Sequence, residues 1–356
     1  MAPRKKTARK RPSSSKSLAR ELVDADASLL VGATAKEALA LRGVIPTGIV
    51  TLDIATGIGG LPMGRLSMIQ GAEGGGKTTF ALSCCASVQQ MGGVAVYYDP
   101  ERKLLGSFAE NIGVDLDAVV YHKPLTMEAM ALKLVQVLNR TKNMSRDRGK
   151  DVPVLVVVDS ITALKTGLDT SLEKMVDEGT APRVGAQAAI MSATLRDVLP
   201  ALENSPVALL FVSQLRTKLT SFGAQQDTTC GNAPKFYSTV IIQARPDIAR
   251  ESGKKVGHRV ECEVVKNQVA APFRRGYFEI LGKRGIDKER ALLDASVELG
   301  LAKKSKKGGW FTYGTALDEL KVQGSRGLRV KSRKEPDADW PGRIRKAVME
   351  AAEEER

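Results

Sequence analysis

The fold class follows from one stretch of the sequence, Gly71-Ala72-Glu73-Gly74-Gly75-Gly76-Lys77-Thr78, which fits the phosphate-loop pattern G-x-x-x-x-G-K-[ST]. An apolar run of strand length, Leu66–Ile69, precedes it, and a helical pattern over Thr79–Gln90 follows it. The glycines let backbone N–H groups turn toward phosphate oxygens, and the helix directs the positive end of its dipole at the same anion. The stretch therefore predicts a strand–loop–helix unit that binds a nucleotide.

Two side chains of this unit and one beyond it predict a magnesium nucleotide site. We expect Lys77 to reach the β and γ phosphates and the Thr78 hydroxyl to bind Mg²⁺. The apolar strand Val154–Val158 ends in Asp159, which should hold the hydration shell of the same ion. The predicted metal site is therefore Thr78 and Asp159. The predicted nucleotide contacts around the loop are Gly71, Glu73, Gly74, Gly75, Gly76, Lys77, Thr78 and Thr79.

The middle of the chain alternates apolar runs of strand length with longer helical patterns, as βαβ units do. This alternation predicts an α/β fold with a mostly parallel, twisted sheet flanked by helices. The predicted strands are Leu66–Ile69, Val94–Tyr98, Val154–Val158, Val207–Val212, Arg259–Val265 and Gly276–Leu281, and the predicted helices are Thr79–Gln90, Met127–Leu138 and Ala186–Leu202.

Two further strand ends carry candidate chemistry, because strand ends in a parallel sheet converge on the ligand. Glu101 follows the strand Val94–Tyr98, and we predict that it orients the water that attacks the nucleotide; a plain surface carboxylate is the alternative. Gln214 follows the strand Val207–Val212 and is predicted to touch the γ-phosphate, with a cap on the next segment as the alternative. Lys218–Pro234 has no periodic apolar face, which predicts a long loop that is either functional or disordered. A functional loop next to Gln214 could become ordered or disordered with the nucleotide state.

The composition excludes several classes of protein. The chain has 356 residues and a net charge of +14, which favours an anionic partner, and its 43% hydrophobic content excludes an intrinsically disordered chain. No apolar run approaches the roughly 20 residues that a membrane span needs, and the basic N-terminus lacks the apolar segment of a secretory signal. The four cysteines show no metal-ligand spacing and are expected to be free thiols. We therefore expect a soluble cytoplasmic protein without a membrane partner.

The distribution of charge and pattern predicts four regions. Residues 1–16 are basic and Ser-rich, which predicts a flexible tail that is either a solvated terminus or a contact for nucleic-acid phosphates. Residues 17–45 carry a helical pattern, and residues 46–283 hold the nucleotide-binding core. Residues 284–356 are expected to form a small basic α+β domain, in which the aromatic rings form the core and the lysines meet DNA.

Several segments together resemble the bacterial RecA recombinases, from about Thr47 to the C-terminal region. Two of them, Gly231–Tyr237 and Val264–Phe273, are more diagnostic than the phosphate loop, which many unrelated ATPases share. The other segments that carry the resemblance are Leu52–Ala55, Gly59–Arg65, Val156–Ser160 and Gln214–Arg216. The resemblance fits either a divergent bacterial protein or a phage-encoded one.

The resemblance implies a RecA-like core whose subunits form a helical filament on single-stranded DNA, hold ATP and Mg²⁺ between neighbours, and catalyse homologous pairing and strand exchange in DNA repair. It implies that Glu101 is the catalytic glutamate, Gln214 the γ-phosphate sensor and Phe108 the adenine-stacking aromatic residue. It also implies that Lys266 reaches the γ-phosphate of an adjacent subunit, so that hydrolysis depends on assembly. With Lys77, these residues complete the expected catalytic and nucleotide-binding set.

The resemblance also implies how the chain meets its partners, which are single-stranded and double-stranded DNA, further copies of itself and a LexA-like repressor. Two DNA-binding loops are expected, at about Asp177–Val184 and Arg216–Thr229, and the C-terminal domain is expected to capture duplex DNA. The N-terminal helical segment is expected to pack on the next subunit, a contact that does not close and so forms a helix. The expected DNA-binding residues are Arg183, Arg196, Arg216, Lys218, Phe222, Gly231, Asn232 and Lys235.

The sequence departs from the family pattern at several functional positions. Gln268 stands where the family has a second lysine, Ala189 where it has an arginine, and Leu105 where it has an aspartate near the adenine. The charge lost at Gln268 predicts slower hydrolysis or looser coupling to assembly. Two alternatives to a recombinase therefore stay open: an ATPase that loads or regulates another recombinase, and a DNA-coating protein with incidental turnover.

Overall fold

The computed structural model describes residues 16, 20, 40–167, 186–203, 205–220, 223–228, 231–251, 254–282, 285–306 and 308–354. The chain divides into two compact units, Met1–Leu41 and Arg42–Arg356, and the helices and strands named here belong to the second. The predicted tail before Lys16 and most of the predicted segment over residues 17–45 lie outside the described residues. No helix within the described ranges combines the length and apolar character needed to cross a membrane.

Two short strands, β1 (Val44–Ile45) and β2 (Leu61–Pro62), pair with each other ahead of a nine-stranded central sheet. The strands of that sheet are β3 Leu66–Gly71, β4 Val94–Tyr98, β5 Val119–His122, β6 Val154–Asp159, β7 Val207–Thr220, β8 Gly223–Thr228, β9 Val240–Glu251, β10 Lys254–Asn267 and β11 Arg275–Ile280. Their order is β11-β10-β9-β3-β7-β6-β4-β5, with β8 paired to β7 alone. The six strands from β9 to β5 are parallel, and β10 and β11 extend the sheet antiparallel. The predicted α/β class is confirmed.

Helices cover both faces of the parallel strands, which explains why those strands are continuously apolar. The helices of this part are α1 Val50–Ala55, α2 Lys77–Gln90, α3 Gly106–Ile112, α4 Met127–Arg148, α5 Ala186–Glu203 and α6 Ala233–Tyr237. In β6, Leu155 and Val157 pack into one buried cluster with residues of α2 and α3, such as Phe80. Their neighbours, such as Val156, face the opposite cluster with residues of α4 and α5, such as Leu134.

The stretch Lys218–Pro234, predicted to be one long loop, differs from that prediction. Strand β7 continues to Thr220 and pairs antiparallel with β8, from Leu215 opposite Thr228 to Thr220 opposite Gly223. The described residues of the predicted second DNA loop therefore form a β-hairpin. Pairing between its two arms satisfies backbone groups that an open loop would leave to water. The prediction missed it because Thr, Gln and Gly give no apolar alternation.

The C-terminal region adds three helices and a small sheet. They are α7 Lys288–Glu298, β12 Ala302–Lys304, β13 Trp310–Tyr313, β14 Lys321–Gln323, α8 Gly324–Lys334 and α9 Trp340–Glu354. Phe311 and Tyr313 are buried as predicted, whereas Trp310 is 39% exposed. Val50 of α1 belongs to the same apolar cluster, so this region shares its core with the first helix of the nucleotide-binding part.

A buried ion pair joins α9 to α1. Arg345 donates from Nη2 to Oδ2 of Asp53 over 2.5 Å, and Asp53 is fully buried. The backbone N–H and the hydroxyl of Thr47 donate to Oδ1 of the same carboxylate. Burial raises the pKa of Asp53, and the Arg345 guanidinium and the Thr47 donors oppose that shift. This ion pair therefore connects α9 to α1 through a single buried carboxylate.

We expect Arg345→Ala to lower the free energy of unfolding by about 3 kcal/mol, because it leaves an uncompensated buried carboxylate. Without the guanidinium the pKa of Asp53 rises further above its ordinary value. The folded variant therefore binds more protons than the folded wild-type protein, and it loses more stability as the pH rises. The loss of stability should therefore be larger at about pH 7 than at about pH 5. Urea unfolding at both pH values measures it.

Lys346→Ala provides the control for that experiment. Lys346 follows Arg345 on α9, its side chain is 78% exposed, and its Nζ lies 3.9 Å from Glu350. An exposed pair of this kind contributes less than about 1 kcal/mol. Equal losses of unfolding free energy in the two variants would show that the buried pair with Asp53 stabilises the fold no more than the exposed pair does.

Candidate functional site

The phosphate loop joins the end of β3 to the start of α2. Gly76 immediately precedes the helix with φ +74°, a left-handed conformation that favours glycine. A Cβ at Gly76 would lie 2.6 Å from Cγ2 of Val260, so β10 also leaves no room for a side chain there. Glycine is therefore required at position 76 both by the backbone and by the packing, and the start of α2 is suited to bind an anion.

Lys77 is the first residue of α2 and is buried beneath the loop. Its Nζ donates to the carbonyl oxygens of Gly71 and Ala72 over 3.1 and 2.6 Å. Burial lowers the pKa of Lys77, and the carboxylates of Asp159, Glu101 and Glu73 oppose that shift. The amine is held inside the loop, where phosphate oxygens can take the place of these carbonyl groups as acceptors.

The structure brings the two residues of the predicted metal site, Thr78 and Asp159, into contact. The Thr78 hydroxyl donates to Oδ2 of Asp159 over 2.7 Å, and the Tyr97 hydroxyl donates to the same oxygen over 2.7 Å. Burial raises the pKa of Asp159, and both hydrogen bonds oppose the shift. Burial and the neighbouring carboxylate raise the pKa of Tyr97, so that phenol stays a donor.

The donor set fits Mg²⁺. Thr78 and Asp159 offer a hydroxyl and a carboxylate, and Mg²⁺ prefers oxygen ligands, takes only one or two carboxylates and completes its shell with water and phosphate. Among the described residues, no group of three or more His, Cys, Asp or Glu side chains converges to hold a metal ion. An ion that needs a cage made entirely of protein ligands would not be served by this pair.

Glu101 is the centre of a second polar cluster beside the first. Its Oε1 accepts from the Ser160 hydroxyl over 2.5 Å and from Nε2 of Gln214 over 3.2 Å, and its Oε2 lies 2.8 Å from Nζ of Lys103. Burial raises the pKa of Glu101, but the hydrogen bonds from Lys103 and Ser160 outweigh that effect and hold the pKa below its ordinary value. Glu101 is therefore an ionised acceptor at neutral pH.

The turn that presents Glu101 is organised by Asp99. The backbone N–H groups of Lys103 and Leu104 donate to the Asp99 carboxylate over 3.3 and 3.0 Å, and the Tyr121 hydroxyl donates to it over 2.7 Å. Asp99 is buried, whereas Glu101 keeps some exposure. The hydrogen bonds to Asp99 therefore stabilise the turn, and the Glu101 carboxylate stays partly accessible.

Gln214 links the two halves of the site. In the β3–β7 register it lies opposite Gly71, the first residue of the phosphate loop. Its amide contacts Glu101, and the chain beyond it continues along β7 into the hairpin. The structure therefore brings Glu101 and Gln214 together beside the first residue of the phosphate loop.

Lys266 does not join this cluster within the chain. Its Nζ donates to the carbonyl oxygens of Lys235 and Phe236 on α6 over 3.0 and 2.8 Å, and burial lowers the pKa of Lys266. Lys266 pairs with Ile241 of β9, whereas Gly71 pairs with Ala244 of the same strand. The positions on β9 that pair with Lys266 and with Gly71 are therefore three residues apart, or about 10 Å.

The other predicted nucleotide contacts differ in their surroundings. Glu73 and Gly74 are exposed in the loop, and Thr79 is buried in α2. Phe108 lies on α3 with a half-buried ring that packs against the larger apolar cluster. Its adenine-stacking role stays a prediction.

The predicted DNA-binding residues are only partly described. Arg183 and Phe222 lie outside the described residues, and Arg216 and Lys218 lie on β7. Arg196 is exposed on α5. Gly231 and Asn232 precede α6, and Lys235 is half-buried on that helix.

The contacts of Ser160, Lys103 and Tyr97 with the predicted residues were not predicted from the sequence. Ser160 and Lys103 follow predicted residues by one and two positions, so proximity in sequence was an available signal. Tyr97 is part of an apolar strand, and its hydroxyl was the available signal, since a buried tyrosine usually has a hydrogen-bond partner.

Comparison with known proteins identifies the family. The sequence model described as the RecA N-terminal domain matches residues 25–287. The chain is 41% identical over 272 residues to Protein RecA of Mycobacteroides abscessus, covering 76% of this chain and 74% of that protein. It is 42% identical over 272 residues to Protein RecA of Rhodococcus opacus, covering 76% and 73%. It is 40% identical over 303 residues to Protein RecA of Acidothermus cellulolyticus, covering 85% and 82%. The chain belongs to the bacterial RecA family.

Proposed function

We propose that this protein is a DNA-dependent ATPase and recombinase, which assembles on single-stranded DNA and pairs it with a homologous duplex in recombinational repair. One observation carries the proposal. Gln214 contacts Glu101 at the nucleotide site, and its own strand continues into the β7–β8 hairpin. Nucleotide chemistry and a segment suited to hold a polynucleotide thus share one strand.

The residues of the site divide the work on ATP. Lys77 and the loop amides bind the phosphates, and Thr78 and Asp159 hold Mg²⁺, which neutralises phosphate charge when it is bound. Glu101 orients the attacking water and accepts its proton. Gln214 exchanges its bond with Glu101 for one with the γ-phosphate, and this shift changes the order of the hairpin.

We assign Lys266 to the nucleotide site of a neighbouring subunit. Its register offset from the phosphate loop supports this assignment, because the lysine of the same chain lies away from Lys77. Contact in trans would couple hydrolysis to assembly, as an arginine finger does. In the single chain, the carbonyl groups of Lys235 and Phe236 on α6 accept hydrogen bonds from the Lys266 amine.

Self-assembly requires an interface, and the edge strand β5 is suited to provide one. It is the last strand of the sheet path, and Val120 and Tyr121 are 51% and 41% exposed. Leu125 and Leu132, which follow it along the chain, are 59% and 60% exposed. Among the described strands, none pairs with the outer edge of β5, and an edge of this kind with exposed apolar side chains can pair with a strand of another copy.

We expect Val120→Asp to shift assembly on single-stranded DNA to at least about tenfold higher protein concentration, because a charge would be desolvated at the interface. Sedimentation of the protein–DNA complex measures the shift. Met91→Asp is the control, since Met91 is 42% exposed at the end of α2 and is not a residue of β5. Normal assembly of Val120→Asp would exclude β5 as the interface.

Two finer proposals concern the partners. Helix α8 of the C-terminal region carries Arg326, Arg333 and Lys334, which suit the phosphates of duplex DNA. From the family resemblance alone, we propose that a LexA-like repressor recognises the assembled filament and that the protein acts in the cytoplasm.

A mediator without strand exchange is the second candidate function, and the neutral Gln268 favours it. Joint-molecule formation between a single strand and a homologous duplex, measured with and without ATP, separates the two. The recombinase proposal requires ATP turnover that rises with single-stranded DNA and joint molecules that depend on ATP. ATP turnover that rises with single-stranded DNA but yields no joint molecules would favour the mediator. ATP turnover that does not respond to DNA would refute both candidate functions.

A further inference from the structure

The Tyr97 hydroxyl reaches the metal carboxylate from within the apolar core. Tyr97 is next to last in β4, and its side chain is 1% exposed in the larger apolar cluster. Its hydroxyl donates to Oδ2 of Asp159 over 2.7 Å. The strands β4 and β6 are adjacent, with Tyr97 opposite Val157, two residues before Asp159. The packed ring is thus a rigid arm that brings one polar atom to the end of β6.

Two donors meet at one oxygen of Asp159. Thr78 and Tyr97 each donate to Oδ2 over 2.7 Å. A carboxylate oxygen accepts about two hydrogen bonds, so these donors occupy Oδ2. Within the described part of the chain, no side-chain donor reaches Oδ1. The second oxygen is therefore the one available to the water shell of a metal ion.

The second donor restricts how the carboxylate can turn. The terminal torsion of an aspartate is broad, so a carboxylate held by Thr78 alone can rotate about that single contact. With Tyr97 in place, rotation would break a hydrogen bond inside the core and leave a buried polar group unpaired. Partners of this kind orient the groups that hold a metal, and their loss typically weakens metal binding by about 10–100-fold.

We propose that Tyr97 is a positioning residue of the Mg²⁺ site, which fixes Asp159 so that Thr78 and the free carboxylate oxygen face the ion together. It touches neither nucleotide nor metal and acts through Asp159. The inference rests on the proposed Mg²⁺-dependent nucleotide chemistry and adds to it a specific requirement for one hydroxyl group.

The chain offers a matched control in the next residue. Tyr98 is 2% exposed and packs in the opposite apolar cluster, where its ring lies 5.4 Å from that of His122. Among the described residues, none forms a hydrogen bond with the Tyr98 hydroxyl. Tyr97→Phe and Tyr98→Phe therefore remove the same atom from adjacent buried rings, and only one of these atoms contacts Asp159.

The test titrates Mg²⁺ into the full-length protein with a fluorescent, non-hydrolysable ATP analogue and records binding of the analogue. We expect the Mg²⁺ concentration at half-saturation to rise about tenfold in Tyr97→Phe and to stay unchanged in Tyr98→Phe, with unchanged analogue affinity in the absence of Mg²⁺. In the background of Asp159→Asn, adding Tyr97→Phe should cause no further shift, which a general loss of packing could not explain.

Equal responses of Tyr97→Phe and the wild-type protein to Mg²⁺ would overturn the inference alone, and so would equal shifts in the two phenylalanine variants. An undiminished effect of Tyr97→Phe in the Asp159→Asn background would overturn it as well. A wild-type protein whose analogue binding ignores Mg²⁺ would overturn the proposed metal chemistry and the inference with it.

Discussion

Glu101→Gln should lower kcat for DNA-stimulated ATP hydrolysis by about 10²–10⁴-fold, the usual contribution of a positioned general base. The glutamine oxygen can still accept from Ser160 and Gln214, so the change removes charge and basicity and keeps the shape of the cluster. Nucleotide affinity should change little, because Lys77, the loop amides and Thr78 are untouched. Steady-state turnover and equilibrium binding of an ATP analogue measure the two quantities separately.

Glu110→Gln is the matched control, since Glu110 is exposed on the nearby helix α3. It should hydrolyse ATP at the wild-type rate. If Glu101→Gln retained full turnover, Glu101 would be a partner of Lys103 in a surface ion pair and another group would activate water.

Gln214→Ala should abolish the effect of ATP on DNA affinity. Coupling between two ligands typically amounts to about 5–150-fold in affinity, and we expect the variant to reduce this ratio to about one. The reason is structural, because the amide of Gln214 is the contact between Glu101 and the strand that forms the hairpin. Affinity for single-stranded DNA, measured with and without a non-hydrolysable ATP analogue, gives the ratio.

Gln136→Ala controls for the loss of an amide, since Gln136 is exposed on α4 and contacts Lys133. Nucleotide binding should persist in both variants. A Gln214→Ala protein that still tightens on DNA when the analogue is added would place the coupling elsewhere in the chain.

The sequence predicted those features that depend on local pattern. The phosphate loop, its strand and its helix are specified by Gly76 and Lys77 with their flanking apolar runs, and the structure reproduces them. The meeting of Glu101 and Gln214 was also predictable, because the ends of parallel strands converge at one edge of a sheet.

Features that depend on strand order and register could not be predicted from the sequence. The contact of Tyr97 with Asp159 requires β4 beside β6, and the sequence does not state which strands are neighbours. The ion pair of Asp53 with Arg345 spans most of the chain, and neither position differs locally from a surface charge. The β7–β8 hairpin escaped prediction because pairing of its backbone, and not an apolar face, specifies it.

Each nucleotide site is proposed to be shared between adjoining subunits, and mixing two variants that are each expected to be inactive tests this sharing most directly. Glu101→Gln lacks the base in its own site, and Lys266→Ala lacks the group offered to its neighbour. In an equal mixture on single-stranded DNA, about one quarter of head-to-tail sites should unite an intact Glu101 with an intact Lys266. We therefore predict that turnover of the mixture rises well above the sum of the two separate variants, toward about a quarter of the wild-type rate. A mixture that hydrolyses ATP no faster than that sum would contradict a shared site.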